Sequence, residues 1–600
     1  MTLVASTHSV TPLRVLLATD ETGGPMHSRG TSTRRIVALL VVFVLSAGAC
    51  SRGSDQDGRG TRTGESNDRG EQTAGPQTQG PRPPVTVSAR GEPRQGGEVV
   101  FGLEAETDGW DPNRNRWAPS GTQVGLTIYD PLAAFDEDGV ARPYLAESIE
   151  PNATYDVWTI KLREGVKFHN GETLRAEHVA EVLNIYANQG ITALALGAIG
   201  EARAVDDLTV EVTTDVPWAS FPAVLTGQGG VIPYPPTLGA NGGEAGTKPI
   251  GTGPFVFKEW EPNRRLVVER NRDYWMKDSE GRQLPYLNRI EFRPIPEVTV
   301  RDNALIAGDI TMMYTSSNNS IVNLRRRADS GELQLVEDRG EPEESLILLN
   351  TNKPPTDDLR IRRALAMATN QEELIRLNGG IARPANGPWP PDSPWYADPD
   401  YPDFDPDEAR RLVDEYKRDK GVDRVTIELS TTPATENIAT VNAIQQMWQR
   451  AGIEVKVRSL SQDQFIGTAV SGDFQANLWR QFGAVDPDGE YHWWHISSAT
   501  EGVAINFARI EDPGIAKALD RGRQSADPEV RREAYKVVQD RMAELVPFVW
   551  ISHTMSAVAA QPFVRGLTNG PLPSGDAAWP MGGPGGFPGV IFLTQVWIEQ

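Results

Sequence analysis

Several things are scarce in this chain. It has one cysteine in 600 residues, so no intrachain disulfide can form and no cysteine-based zinc or iron–sulfur cluster can be built. Positive charge is in deficit: 59 Lys and Arg stand against 81 Asp and Glu, a formal net charge of −22. That balance excludes a chain whose task is to coat nucleic acid or an anionic membrane. No apolar run after Cys50 approaches the ~20 residues of a membrane-spanning helix. No sequence repeat with a period of ~20–50 residues is present, which excludes a solenoid or propeller. Catalytic motifs are missing too. There is no Gly-x-Ser-x-Gly elbow, no Walker A loop and no His-Glu-x-x-His. Gly242 to Lys248 is glycine-rich and ends in Lys, but lacks the phosphate-loop spacing and the Ser or Thr that would follow. Asp486 and Asp488 are paired carboxylates, which in an acidic chain are far more often solvated than an acid/base dyad.

What is present begins with an address. Arg34 and Arg35 precede an apolar run of 12 residues, Ile36 to Ala47. Charged n-region, short h-region and small residues after it describe a secretory signal peptide, residues 1–49. Residues 1–25 make a long n-region, and a start at Met26 would leave a more ordinary one. Ala47, Gly48 and Ala49 run into Cys50, which resembles a bacterial lipobox with Ala47 where Leu is usual. The lone cysteine is thus the expected lipidation site. Residues 51–95 contain no aromatic residue, no Leu and no Ile. Such a segment cannot bury enough apolar surface to offset its ordering entropy, so 50–95 reads as a lipid-anchor cysteine and flexible tether. The remainder is a globular body: the chain is 39% hydrophobic and 23% charged overall.

Length alone suggests three or four units at ~150 residues each. Strands and helices are both legible. Val99 to Leu103 is an apolar run behind Gly96-Gly97. Trp158, Ile160 and Leu162 alternate with polar residues, as do Leu208, Val210 and Val212. Val179, Leu183 and Tyr186 define one helix face. Val425, Ile427 and Leu429 alternate as a strand. Ile438, Val441, Ile444, Trp448 and Ala451 recur at helical spacing, Gly452 stands as a C′ residue, and Ile453, Val455 and Val457 alternate again. Strand, helix and strand in this order predict a βαβ crossover in a parallel α/β sheet, whose ligands sit in crevices at strand ends.

The histidines are few. His169, His178 and His553 are isolated and read most simply as surface or satisfied residues. His492 and His495 follow Asp486, Asp488 and Glu490, a donor density that a divalent metal could use, although no helix fixes the spacing. The same stretch is aromatic: Trp479, Phe482, Tyr491, Trp493 and Trp494 fit a cleft wall as well as a core.

From Pro143 onward the chain carries recognisable text. Pro143-Tyr144-Leu145-Ala146-Glu147-Ser148 is followed by Trp158-Thr159-Ile160-Lys161-Leu162-Arg163-Glu164-Gly165-Val166-Lys167-Phe168-His169-Asn170-Gly171. This closely resembles the signature of extracellular solute-binding protein family 5, the oligopeptide-, dipeptide- and nickel-binding lipoproteins of ABC importers, with Asn170 in place of the usual Asp. Tyr129-Asp130-Pro131-Leu132, Gly251-Thr252-Gly253-Pro254-Phe255, Asn271-Arg272-Asp273-Tyr274-Trp275, the block Asn350 to Ala368 and the surroundings of Pro547 resemble further family motifs in the right order.

The resemblance implies an α/β, two-lobed periplasmic-binding-protein-like clamshell of type II, with an extra subdomain in lobe one. Lobe one would comprise 96–343 and 555–600, and lobe two 344–554. The tail, with its apolar run Val590 to Leu593, would return to lobe one as a strand. It further implies capture of a peptide or peptide-like solute by lobe closure and delivery to ABC permease subunits. The protein would be a monomer held to the outer face of the cytoplasmic membrane by its lipid anchor. No cofactor, no catalytic residue, no resident metal and no nucleic-acid partner is implied.

One departure bears on the ligand. In peptide-binding members of the family, a tryptophan lies seven residues before the proline of an acidic-Pro motif, and an aspartate four residues before it binds the peptide α-amino group. The matching proline is Pro487, and those positions hold Arg480 and Gly483. A buried ammonium needs a carboxylate partner, so either Asp486 supplies it or the ligand lacks a free N-terminus. Arg480 would instead favour a carboxylate or phosphate. The expected ligand contacts are Trp110, Asp111, Trp479, Arg480, Asp486 and Trp494. Alternatives are a non-peptide solute (an acidic small molecule or a metal chelate), a sensor uncoupled from transport, or a secreted hydrolase.

Overall fold

The alternating residues 157–162 form a strand, Val157–Leu162, with Trp158, Ile160 and Leu162 buried and Thr159 and Lys161 exposed. It pairs antiparallel with Ala146–Pro151 and Thr209–Thr214, and Ile199–Ala204 completes a four-stranded sheet. Helix Ala176–Asn188 covers one face, burying Val179, Leu183 and Tyr186 in the core beneath it. In the computed structural model the described residues are 91–599, apart from 116, 240–242, 339–342, 500–503, 583–586 and 588. The signal segment, Cys50 and nearly all of the expected tether lie outside them.

A seven-stranded sheet is centred on Glu98–Leu103, which runs parallel to Arg289–Pro294 on one side and Met312–Thr315 on the other. Arg265–Arg270 and Phe255–Glu261 extend it outward from Arg289–Pro294. Beyond Met312–Thr315 lie Ser556–Ala560 and then Gln334–Asp338. A late strand is therefore inserted between two earlier ones, and Val558 and Ala560 share a core with Val99 and Phe101.

The third large sheet has six strands, in the order Arg383–Pro384, Phe548–His553, Glu343–Leu349, Ala476–Phe482, Val425–Thr431, Ile453–Ser459. It contains the expected βαβ unit. Val425–Thr431 and Ile453–Ser459 are parallel and in continuous register, joined by helix Thr435–Arg450. Gly452 follows that helix at φ +86°, the left-handed conformation that favours glycine. Ile444 and Trp448 are wholly buried, each contributing about 1.5–3 kcal/mol of transfer free energy. The chain passes between the seven- and six-stranded sheets twice, after Asp338 and between His553 and Ser556. The result is a two-lobed α/β clamshell, with the four-stranded sheet as a subdomain beside the seven-stranded one.

The tail differs from expectation at Val590 to Leu593, which form no strand. Their side chains are buried in the core beside the seven-stranded sheet and its neighbours. The backbone of Ile591 is satisfied instead by one side chain: Gln123 Nε2 donates to its carbonyl (2.8 Å) and Gln123 Oε1 accepts from its N–H (3.1 Å). A buried amide that brackets one residue removes the need for a ladder.

Candidate ligand-binding cleft

Motifs far apart in the sequence converge on one carboxylate. Asp130, just after helix Pro119–Ile128, is 1% exposed. It accepts hydrogen bonds from Thr252 Oγ1 (3.0 Å), Tyr274 Oη (2.8 Å) and Trp275 Nε1 (2.9 Å). Burial raises its pKa to about 6, and the three donors oppose the rise. Gly251 and Gly253 lie against the end of that helix. A Cβ at Gly251 would stand 2.2 Å from the Ile128 carbonyl oxygen, so a side chain cannot fit there. The Gly253 carbonyl takes Asn271 Nδ2 and His169 Nε2, each at 3.0 Å. His169 is thus satisfied, and burial drives its pKa down to about 4. The quoted motifs therefore build a structural knot in lobe one.

The expected ligand contacts spread over several environments. Trp110 is buried in the lobe-one core, edge-on to Trp260 at 5.6 Å, and among the described residues its indole N–H has no hydrogen-bond partner. Asp111 closes a turn, its Oδ1 accepting from the Asn113 N–H at 2.9 Å. Trp494 is fully buried against Trp389. Trp479 is half-buried between Phe465 and Phe507. Asp486 has both oxygens on Arg531 (2.5 and 2.9 Å) and caps the turn that follows through the Asp488 N–H. His492 and His495 do not share a focus: His495 stacks on Tyr491 and contacts Ser497, while His492 lies against Trp493. Among the described residues no group of three or more His, Cys, Asp or Glu is arranged to hold a metal ion.

Arg480 is the candidate placed where the two lobes meet. On strand Ala476–Phe482 it donates from Nε to Glu343 Oε1 (2.5 Å) and from Nη1 to Ser316 Oγ (2.9 Å). Ser316 in turn donates to Glu104 Oε2 (2.8 Å), and Glu104 also receives Arg301 (3.1 Å). This relay joins the end of strand Glu98–Leu103 to the first residue of strand Glu343–Leu349. The positive charge of Arg480 is met by Glu343 within the protein.

One residue along, on the other face of the same sheet, lies an acidic focus that the sequence did not disclose. Across the six-stranded sheet Glu344 faces Gln481 on one neighbour and His553 on the other. Gln481 Nε2 reaches Glu490 Oε2 at 3.4 Å. Glu344 and Glu490 are each 1% exposed and His553 is 2% exposed. Among the described residues Glu344 Oε1, Glu490 Oε1 and both ring nitrogens of His553 have no hydrogen-bond partner. Burial, with Glu490 and Glu343 nearby, raises the Glu344 pKa well above the carboxylate range, and burial raises that of Glu490 to about 8. His553 is not the satisfied histidine expected; burial pushes its pKa down to about 3. The one sequence cue was acid inside an apolar strand, Glu343-Glu344 running into Leu346 to Leu349.

A second contact closes the lobes at the rim. Asp488 accepts from Trp218 Nε1 (2.6 Å), which packs in the core of the four-stranded subdomain, and from Arg523 Nε (2.7 Å). The Arg523 guanidinium lies over the rings of Trp218 and Tyr491, and its carbonyl accepts the Ala219 N–H at 2.9 Å. Burial would raise the Asp488 pKa, but Arg523 prevails and holds it below the usual range.

Two lobes that meet over buried polar groups form a clamshell. Residues 141–502 match the family model for bacterial extracellular solute-binding proteins, family 5. The chain is 27% identical over 512 residues to di/tripeptide-binding protein 2 of Pseudomonas aeruginosa, covering 79% of this chain and 92% of that protein. It is 30% identical over 483 residues to protein XP55 of Streptomyces lividans, covering 76% and 83%. Among solved structures, the binding protein AgaA of A. tumefaciens R10, in complex with agropinic acid, superposes with a TM-score of 0.72 at 24% identity, over 84% of this chain and 99% of that one. The chain belongs to the family 5 extracellular solute-binding proteins, the ligand-capturing components of ABC importers. Among the described residues no helix is long and apolar enough to cross a membrane.

Proposed function

We propose that this protein is a lipid-anchored receptor on the outer face of the cytoplasmic membrane, which captures a peptide or peptide-like solute between its lobes and delivers it to ABC permease subunits. The lobes are 96–343 with 555–600, and 344–554; the anchor is Cys50. The observation that carries the reading is the closed, polar junction between two sheets in a family whose members bind solutes, the Arg480–Ser316–Glu104 relay above all. The relationship to a di/tripeptide-binding protein supports a peptide-like ligand. The pairing of Arg480 with Glu343 argues against an acidic solute at that point. Capture needs no covalent step: closure expels water and buries the ligand against both lobes.

The test is native mass spectrometry of the full chain purified from its own host, followed by calorimetric titration of any molecule released. A retained solute that rebinds to the emptied protein supports the reading. A protein that carries nothing and binds no member of a peptide and small-solute panel refutes it.

A further inference from the structure

We infer that Glu344 and Glu490, together with the imidazole of His553, form a seat for a positively charged nitrogen group of the solute. The inference rests on the receptor reading and adds to it the charge of the ligand and the residues that read it.

The argument starts from unmet hydrogen bonding. Buried polar atoms are nearly always paired, and an unpaired one costs free energy. Here three neighbouring side chains carry polar atoms unpaired among the described residues: one oxygen of Glu344, one oxygen of Glu490, and both ring nitrogens of His553, one of them an acceptor in the neutral ring. They do not satisfy one another. His553 Nδ1 stands 4.0 Å from Glu344 Oε1, beyond hydrogen-bond reach. The register holds them together, since Glu344 is directly opposite both Gln481 and His553 and Gln481 is bonded to Glu490. The place is right as well. Glu344 is the second residue of the first strand after one crossing between the sheets, and His553 closes the last strand before the other.

The missing partner is a donor, and its charge follows from the surroundings. Among the described residues the cation in register with this focus, Arg383 opposite His553, is already paired with Asp392 at 3.0 Å, and Arg480, one residue from Gln481 on the other face of the sheet, is paired with Glu343. Two buried carboxyl groups with no cation of their own favour a positive ligand group, which they meet as carboxylates by giving up their protons and whose burial they then make tolerable. An ammonium brings three donors and a guanidinium five, enough for the three open acceptors. A metal ion is the other cation, and the absence of any metal-holding group among the described residues speaks against it.

The experiment uses the full chain at pH 7 with four probes: agmatine, trialanine, N-acetyl-trialanine and nickel chloride, by calorimetry and thermal shift. Any solute retained from the host is added to the panel. The expected result is that agmatine, trialanine or a retained solute with a basic nitrogen binds, and that acetylation of trialanine weakens it about tenfold or more. Glu344→Gln and Glu490→Gln should each weaken the charged ligand by about the same factor while circular dichroism is unchanged. Should either variant fail to fold, the acetylated and free peptides compared on the wild-type chain still decide. Equal affinity for the two peptides, unchanged affinity in both variants, binding of nickel alone, or a retained solute with no basic nitrogen overturns the inference and leaves the receptor reading intact. A chain that binds nothing and retains nothing removes the receptor reading itself.

Discussion

Asp130 and Glu490 are both buried carboxylates, each 1% exposed, and they are treated in opposite ways. Asp130 is surrounded by three side-chain donors drawn from two family motifs, and its pKa rises only to about 6. Glu490 has one weak side-chain donor, Gln481, a backbone donor at Ala484 and an oxygen left bare, and its pKa climbs to about 8. Burial is alike; the donors differ. A carboxylate that belongs to the architecture is saturated by the architecture. One that is left open in an otherwise well-paired fold is where a ligand is expected. Asp488 extends the contrast, because it too is buried, sits between lobes, and is fully engaged by Trp218 and Arg523.

The largest test of this comparison is Asp130→Ala. The change strands the hydroxyls of Thr252 and Tyr274 and the indole N–H of Trp275 without an acceptor, at ~1–3 kcal/mol for each group that water cannot reach. A loss of about 3–5 kcal/mol is expected in denaturant unfolding. Glu490→Gln measured alongside at pH 7 should cost little or nothing, since it removes a group whose burial is poorly compensated. Equal losses at the two sites would erase the distinction between saturated and open carboxylates.

Why one region was legible in the sequence and the other was not follows from the same contrast. The knot around Asp130 is made of contiguous motifs, because tight turns and glycine contacts such as Gly251 against Ile128 need particular residues in short runs. The βαβ unit was legible through periodicity, which local geometry imposes on the chain. The acidic focus has no such text. Glu344, Glu490 and His553 come from three separated segments and meet only through strand register, and His553 alone looks like any isolated histidine. Trp110 and Trp494 are expected as ligand contacts and lie in cores, for the converse reason. An indole that fills a core and one that lines a cleft have the same letter and often the same neighbours, and only the fold separates them. The run Val590 to Leu593 has the composition of a strand, but the bracketing by Gln123 that replaces its ladder comes from far away in the chain.

A pH series sharpens the comparison further. Glu490 binds its proton more tightly folded than unfolded, with a folded pKa of about 8 against 4.5. The folded state therefore holds the extra proton between these values, and stability falls as pH rises through that window. The contribution is whole below pH ~4.5 and lost by pH ~8, an effect of order 2–4 kcal/mol. In the ligand-free protein Glu490→Gln should show a shallower decline of stability from pH 5 to 8 than the wild type. Some decline will remain, because the Glu344 and Asp130 pKa values are also raised. Identical pH profiles for variant and wild type would mean that Glu490 is solvated or paired after all.

The smallest effect is expected at the rim, where the polar groups are saturated. Trp218→Phe keeps a ring in the subdomain core and beneath Arg523 but removes the N–H that Asp488 accepts. Arg523 still neutralises Asp488, so the carboxylate keeps its charge partner and loses one charge-assisted bond, worth about 1–2 kcal/mol. That bond exists only while the lobes are together, because Trp218 and Asp488 lie on opposite sides of the junction. The loss should therefore appear as opening more than as unfolding. The radius of gyration from X-ray scattering should rise in the ligand-free variant, and solute affinity should fall by up to about tenfold, with little change in the unfolding midpoint. A midpoint that drops with no change in scattering would place Trp218 with Asp130, as part of the scaffold, and leave closure to the Arg480 relay alone.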